Sequence, residues 1–347
     1  MSTLDCMAAS PQRVADPNAQ QMADMIRAFW ISQIVGTFAQ LAIPDHLAGG
    51  ALSSGELARL LACHGGATHR LMRAAVEVGL VASTPDGRFS LTALGEKLQS
   101  HVPGSMRDSA IAFTAPGHWL PWGRLSEAVR TGRRQTKETL GAELFQYYSD
   151  CPSEGRAFTG AMSVSSMQVA DEIARVLDTS WAKLVVDVGG ASGTLIAALL
   201  IKNPTLSGTI LDRPDVVART KVAVAERGLS SRCHVVEGDF FVAVPEADLY
   251  LLKHIIHDWD DEQSVAILSN CARALRPKGR IVLVERVMPE DDRTSPTSLR
   301  DLNMLVLLPG RERTAREYAG LIVRAGLRLD RIISNASAVS IVEASAA

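Results

Sequence analysis

The sequence predicts an α/β fold: a doubly wound, mostly parallel sheet behind an N-terminal winged-helix domain that is all-helical but for one short hairpin. Three observations carry that reading. From Leu184 onward, short apolar runs of strand length alternate with helical segments, the texture of a sheet covered by helices on both faces. The first strand runs into a glycine-rich turn, Asp187-Val188-Gly189-Gly190-Ala191-Ser192-Gly193-Thr194, as in Rossmann-like ligand-binding domains. Acids stand at the ends of three consecutive strands: Asp187, Asp212 and Asp239.

The chain has 347 residues, enough for two domains each with its own core. A formal charge of -2 gives no electrostatic case for nucleic acid or an anionic membrane. Five cysteines, odd in number and without CxxC spacing, argue against a disulfide framework or a structural metal and suit a reducing cytoplasm. No apolar run approaches the roughly 18 residues of a membrane span. Residues 1–18 are polar, contain prolines and lack a signal-peptide core, and are expected to form a disordered arm.

Residues 19–105 form the first predicted domain. From about Gln20 to Leu47 the pattern is helical and unusually apolar, with Met22, Met25, Ile26, Phe29, Trp30, Ile34, Val35, Phe38 and Leu41; a break is expected at Gly36 and an end near Pro44. So many large apolar groups near a terminus predict a homodimer interface, packing within the domain being the alternative. Two short helices follow, Gly55–Cys63 capped by Ser53 or Ser54 and His69–Val78 capped by Thr68. Then come a strand, a turn at Pro85-Asp86-Gly87-Arg88, and a second strand from Phe89 to Thr92. Helix-turn-helix plus hairpin is a winged-helix pattern, so a ligand-sensing DNA-binding regulator is an alternative. Only His69, Arg70 and Arg73 mark its second helix, and no basic stripe follows, which favours packing and dimerisation.

Residues 106–180 read as a helical linker and pocket layer with aromatic and methionine residues interleaved, His118, Trp119, Trp122, Phe145, Tyr147, Tyr148, Phe158, Met162 and Met167 among them. Each alone suits a core; together they suit a pocket for a flat apolar molecule.

Residues 181–347 form the predicted sheet domain, with strands at Leu184–Val188, Leu206–Leu211, His234–Gly238, Leu249–Lys253 and Arg280–Arg286, and a closing pair at Leu327–Ser334 and Val339–Ala344. Glycines at the first strand-to-helix turn, Gly189 and Gly190, let a ligand approach the backbone. The turn lacks GxGxxG spacing, and Asp187 before it would repel a pyrophosphate. S-adenosylmethionine has no phosphate and carries an ammonium and a sulfonium. Asp212 follows the turn by roughly 20 residues, where an acid grips ribose hydroxyls. Asp239-Phe240 offers a polar contact and an apolar wall to an adenine.

The fourth strand leads into Lys253-His254-Ile255-Ile256-His257-Asp258-Trp259, followed by a helix that Asp260 is placed to cap. This puts Lys253 and His257 at the carboxyl edge of the sheet, where open α/β folds bind ligands. A histidine there is a candidate base, and Glu285 and Glu312 are candidates to orient it. Each acid has an alternative: Glu285 beside Arg286 or Arg311, and Glu312 beside Arg316. No cluster has metal-ligand spacing, and no metal is expected.

From about residue 20 to 343 the chain resembles the class I S-adenosylmethionine-dependent O-methyltransferases of the caffeic acid / hydroxyindole (acetylserotonin) type, including bacterial antibiotic-tailoring members. The matching stretches are Asp187 to Gly190, Leu211-Asp212, Gly238 to Phe241, Lys253 to Trp259 and Gly310-Arg311-Glu312-Arg313-Thr314. The resemblance implies cofactor contacts from Gly189, Asp212, Asp239, Phe240 and Lys253, and a winged-helix dimerisation domain. It also implies His257 as base, with Glu285 and Glu312 as its two flanking acids. By analogy Phe158, Met162, Met304 and Leu308 contact the acceptor, with Trp119 and Trp122 nearby. The expected reaction is methylation of a hydroxyl on a flat aromatic metabolite, phenolic, polyketide or phenazine-like; relatives of this architecture also methylate nitrogen or carbon. Three positions depart from the common pattern: Ala191 for a third glycine, Arg213 for an apolar residue, and Pro309 for a glycine.

Overall fold

The computed structural model describes residues 16–291, 295–334 and 339–347. Most of the expected arm therefore lies outside the described residues, while its last positions enter structure: Asp16 accepts a hydrogen bond from the Asn18 N–H and caps the helix Pro17–Gln40. The chain divides into two compact units, Met1–Glu96 and Lys97–Ala347.

In the first unit the helix Pro17–Gln40 runs straight through Gly36, correcting the expected break. Gly36 is buried. A small residue at a packed position lowers helix propensity by only about 1 kcal/mol, too little to end a 24-residue helix. Nor does Pro44 end a helix. It sits in the first turn of the next one, Ile43–Leu47, where a missing N–H costs nothing, after Ala42 has turned the chain at φ 51°. The buried residues of this region lie at its C-terminal end, Phe38, Ala39, Ile43 and Leu47. Met22, Met25, Ile26, Phe29, Trp30 and Ile31 are 50–66% exposed.

Ser53 caps the helix Ser54–Leu60 in a reciprocal box with Glu56. The cap of Gly65–Val78 is His64, whose Nδ1 accepts from the Ala67 N–H, and not Thr68. Thr68 lies inside the first turn and donates its hydroxyl to the His64 carbonyl, a choice local sequence does not distinguish from capping. The expected hairpin forms from Val81–Ser83 and Phe89–Leu91, antiparallel.

The second unit opens with six helices between Arg107 and Val176, ending in the long helix Pro152–Val176. Seven of the strands that follow build the main sheet: β1 Leu184–Val188, β2 Ser207–Asp212, β3 Cys233–Glu237, β4 Ala247–Lys253, β5 Leu275–Glu285, β6 Leu327–Ser334 and β7 Ser340–Ala346. They form one mixed sheet in the order β6-β7-β5-β4-β1-β2-β3, with β7 antiparallel to both neighbours and the rest parallel. The strands read as continuous apolar runs because both faces are covered. Val185, Leu249, Leu251, Val282 and Val284 enter one core, and Val186, Val188, Tyr250, Leu252 and Leu283 the other.

The chain builds outward from β1 to β3, then returns to place β4 on the other side of β1. Connections on the two sides leave in opposite directions, which opens a crevice beyond the carboxyl ends of β1 and β4. Asp187, Lys253, Asp212 and Glu285 lie at or next to the carboxyl ends of their strands, so topology gathers them at one edge.

Candidate active site

The glycine turn after β1 is shaped by close approach. Gly189 has φ 67°, a left-handed conformation that favours glycine, and a Cβ there would press on Ile255 Cδ1 at 2.5 Å. Ala191, the departure from a third glycine, also takes a left-handed conformation, φ 48°, and its N–H donates to Asp212 Oδ2 at 2.8 Å. The other oxygen, Oδ1, accepts from the Arg213 N–H at 2.8 Å. Each Asp212 oxygen thus holds one backbone donor and retains lone pairs for a ligand hydroxyl. Burial raises the Asp212 carboxyl.

Asp187 is 2% exposed, and burial pushes it up to about 7 against the pull of Lys253. Burial likewise draws the Lys253 ammonium down to about 8, while Glu285 and Asp187 hold it up. Asp239 is exposed, and its Oδ1 accepts from the Phe241 N–H. Phe240 joins an aromatic group with Phe241 and Trp259 at ring distances of 5.0 and 6.0 Å. Three acids, one lysine and an apolar wall fit a nucleoside that carries positive charge and no phosphate. The residues present therefore suit S-adenosylmethionine.

His257 sits in a short 3-10 turn, Ile256–Asp258, just past β4. Its Nδ1 is 3.1 Å from Glu312 Oε1 and 3.8 Å from Glu285 Oε2. The two acids therefore meet the same ring nitrogen and do not flank the ring. Asp258, absent from the sequence-predicted site, is on the other side, with Oδ1 3.2 Å from Nε2. Burial lowers the affinity of His257 for a proton, but Glu285, Asp258 and Glu312 outweigh it and raise the imidazole to about 9. Burial raises Asp258 to about 6 and Glu285 to about 7, partly offset by His257. His257, Asp258 and Glu285 therefore share protons as a unit.

The loop carrying His257 is fixed from below. Glu285 Oε1 accepts from the backbone N–H groups of Ile255 and Ile256 at 3.1 and 2.9 Å. Arg313, with no exposed surface, donates to the carbonyls of Ile256 and Trp259 at 2.9 and 2.8 Å and pairs with Asp261 at 2.8 Å. Sequence reasoning placed Arg313 in a motif but gave it no role. Its long-range partners leave no periodic signal. Arg316 pairs with Glu290, and Arg311 with Asp261 and Glu317, so neither takes the two acids from His257. Asp260 caps the next helix as expected, accepting from the Gln263 N–H at 2.8 Å.

A cavity of about 1130 Å³ joins these parts. Its wall includes Asp187, Gly189, Gly190, Asp212, Asp239, Phe240 and Lys253, then His257, and also Phe158, Met162, Met304 and Leu308. Trp119 does not line it. His118, one residue earlier on the helix Pro116–Trp122, does, and consecutive helical residues point about 100° apart. Trp122 is also absent from the wall, but its Nε1 donates to Asn303 Oδ1 at 2.8 Å, and Asn303 lines the cavity. Tyr148 and His118, joined at 2.8 Å, line the wall, as the pocket reading of the aromatic group expected. Arg213, the second departure, reaches back from the cleft to the Phe145 carbonyl and to Ser149. Among the described residues no group of His, Cys, Asp and Glu is arranged to hold a metal ion.

A switch-point crevice with strand-end acids, opening onto a cavity with a buried histidine–carboxylate group, has the form of a site for a nucleoside-like cofactor beside a second, apolar ligand. Residues 122–328 match the O-methyltransferase domain family, and residues 23–100 match the O-methyltransferase dimerisation domain. The chain belongs to this O-methyltransferase family and is an S-adenosylmethionine-dependent methyltransferase. It is 35% identical to the phenazine O-methyltransferase of Lysobacter antibioticus over 331 residues, 95% of this chain and 97% of that one. It is 34% identical to the mitomycin biosynthesis 6-O-methyltransferase of Streptomyces lavendulae, covering 92% of each chain. The crystal structure of human N-acetylserotonin methyltransferase in complex with S-adenosylmethionine superposes with a TM-score of 0.87 at 28% identity, covering 96% of this chain and 99% of that one.

Proposed function

We propose that this protein is a homodimer that methylates a hydroxyl group of a flat aromatic metabolite, phenolic, polyketide or phenazine-like, with His257 as the base. The observation that carries the reading is the 3.1 Å contact of His257 Nδ1 with Glu312, in a ring that lines the same cavity as the strand-end acids and the apolar residues Phe158, Met162, Met304 and Leu308. Asp212 would hold the ribose hydroxyls, Asp239 and Phe240 the adenine, and Asp187, Gly189, Gly190 and Lys253 the rest of the cofactor. When bound, S-adenosylmethionine supplies an electrophilic methyl carbon on a sulfonium.

A phenol, with a pKa near 10, is about 99.9% protonated at neutral pH and a poor nucleophile. Glu312 accepting from Nδ1–H fixes the tautomer whose Nε2 lone pair takes the phenolic proton. Asp258 beside Nε2 and Glu285 behind Nδ1 stabilise the imidazolium that results. Phe158, Met162, Met304 and Leu308 sandwich the acceptor ring and exclude water, so the chain's main contribution to displacement is alignment.

Two further parts of the reading rest on the first unit and on the cysteines. The exposed face Met22–Ile31 supports a homodimer, since six large apolar groups on one helix are a poor water-facing surface. Free Cys63, Cys151, Cys233 and Cys271 suit a reducing cytoplasm, and among the described residues no helix is long and apolar enough to cross a membrane.

His257→Ala tests the base. Turnover on a high-pKa phenol at pH 7 should fall by about 10² to 10⁴-fold, with cofactor affinity nearly unchanged, and a more acidic phenol should recover part of the loss. Near-normal turnover would mean that proximity alone drives transfer, or that the acceptor atom is nitrogen or carbon. Mass spectrometry that locates the new methyl distinguishes these.

A further inference from the structure

The cavity wall carries four arginines besides Lys253, namely Arg156, Arg213, Arg219 and Arg300, and Arg300 is the one that shares a helix with the proposed acceptor contact Met304. The helix Ser298–Leu307 presents Arg300, Asn303, Met304 and Leu307 to the cavity, the spacing of one helical face. Polarity is graded along that face. Met304 and Leu307 form an apolar floor, whereas Arg300 and Asn303 stand toward the N-terminal end of the helix. Among the described residues Arg300 has no ion-pair or hydrogen-bond partner. Asn303 spends its side-chain oxygen on Trp122 Nε1, which leaves its NH2 group as a donor.

His254 extends the same polar corner. Its ring stacks on that of His257 at 5.0 Å and 21°, and it too borders the cavity. It is held at φ 52°, a left-handed conformation uncommon for residues other than glycine. Nδ1 lies 3.1 Å from Lys253 Nζ, and an ammonium can only donate, so the ring proton sits on Nε2. That buried Nε2–H has no partner among the described residues. Burial first, then the charges of Lys253, His257, Arg286 and Arg300, keeps His254 neutral well below its usual range. Arg300, His254 and His257 all border the one cavity.

We infer, building on the O-methyltransferase reading, that the acceptor is an aromatic acid whose carboxylate is held by Arg300 with His254 beside it, next to the hydroxyl that meets His257. One planar guanidinium matches one planar carboxylate through two parallel hydrogen bonds. A dianion such as a phosphate monoester fits worse, because Asp258, Glu285 and Glu312 already surround His257 with negative charge. The arrangement also solves a chemical difficulty. A carboxylate next to a phenol holds the phenolic proton in an internal hydrogen bond and makes it harder to remove. Drawing the carboxylate onto Arg300 breaks that bond and turns the proton toward His257.

The test measures binding to the full-length protein saturated with S-adenosylhomocysteine. The probes are one-, two- and three-ring ortho-hydroxyaryl carboxylates, each beside its methyl ester and carboxamide. For the ring size that fits, the acid should bind at least about tenfold more tightly than its ester. Arg300→Gln should abolish that preference while leaving ester affinity unchanged, and Arg300→Lys should keep part of it. Arg300 is exposed, so neither change threatens folding. Equal affinity for acid and ester, an equal loss of both in Arg300→Gln, or no binding by any acid of the series would each overturn the inference. Methylation assays on the same series separate the two readings. Esters methylated on oxygen as well as acids sink the carboxylate site but keep the enzyme. Acids that bind through Arg300 without yielding an O-methyl product do the reverse.

Discussion

Gly310 lies so close beneath His257 that a Cβ at position 310 would stand 2.0 Å from the His257 carbonyl oxygen and 2.5 Å from the backbone of Asp258 and Trp259. Backbone atoms cannot give way as a side-chain tip can, so any larger residue must push the catalytic loop outward. Gly310→Ala should therefore lower turnover by at least about tenfold, since reacting groups tolerate little displacement, and should lower the melting temperature. Cofactor affinity, set at the other strand ends, should hold. Wild-type turnover on the same acceptor would refute the role given to this contact.

The proton affinity of His257 sets the pH profile. Its three carboxylate neighbours raise it to about 9, and an imidazolium cannot accept a proton. Turnover should therefore rise from neutral pH toward about 9 and fall in acid. Glu312→Gln removes one of the charges that raises His257, so the midpoint should move to lower pH while the plateau drops as the ring loses its 3.1 Å partner. Glu285, 3.8 Å from the same nitrogen, keeps part of the orientation, so this change should cost less than His257→Ala. A flat profile between about pH 6 and 9 would count against His257 as the titrating base.

Asp212→Ala removes the acceptor for two turn amides and the proposed ribose contact together. The loss in S-adenosylmethionine binding should be on the order of 2 kcal/mol, about thirtyfold, and calorimetry reads it directly. An unchanged dissociation constant would place the ribose elsewhere.

The exposed apolar face of the helix Pro17–Gln40 is testable without truncation. Ile26→Glu combined with Trp30→Glu alters two side chains that are 66% and 55% exposed, so the subunit fold should survive. Sedimentation should show the dimer giving way to monomer. A double variant that sediments like wild type would put the interface on another surface.

Much of this was legible in the chain alone, for reasons that are local. Apolar runs of strand length separated by helical segments are a property of neighbouring residues, and they marked all seven strands of the sheet to within a few positions. Strand-end acids and Lys253 could be read because the carboxyl edge of a parallel sheet follows from connection handedness. His257 could be placed at that edge because it follows the end of such a strand within one short turn. Helix caps at Ser53 and Asp260 were equally local. Thr68 and Gly36 misled, since capping and breaking there compete with alternatives only packing decides.

What only the tertiary structure decided are pairings across long stretches of chain. Glu312 lies 55 residues from His257 and Arg313 lies 57 from Ile256, separations at which no periodicity survives. Which acid stands closer, that both meet one nitrogen, and that Asp258 takes the other are matters of a few tenths of an ångström to an ångström, set by how β4, β5 and the 310–314 segment are held together. The helix Ser298–Leu307 shows the division most plainly. Its sequence names Arg300, Asn303, Met304 and Leu307 as one face, but only the folded chain turns that face toward His254 and His257, because the direction of a helix is settled by what it packs against.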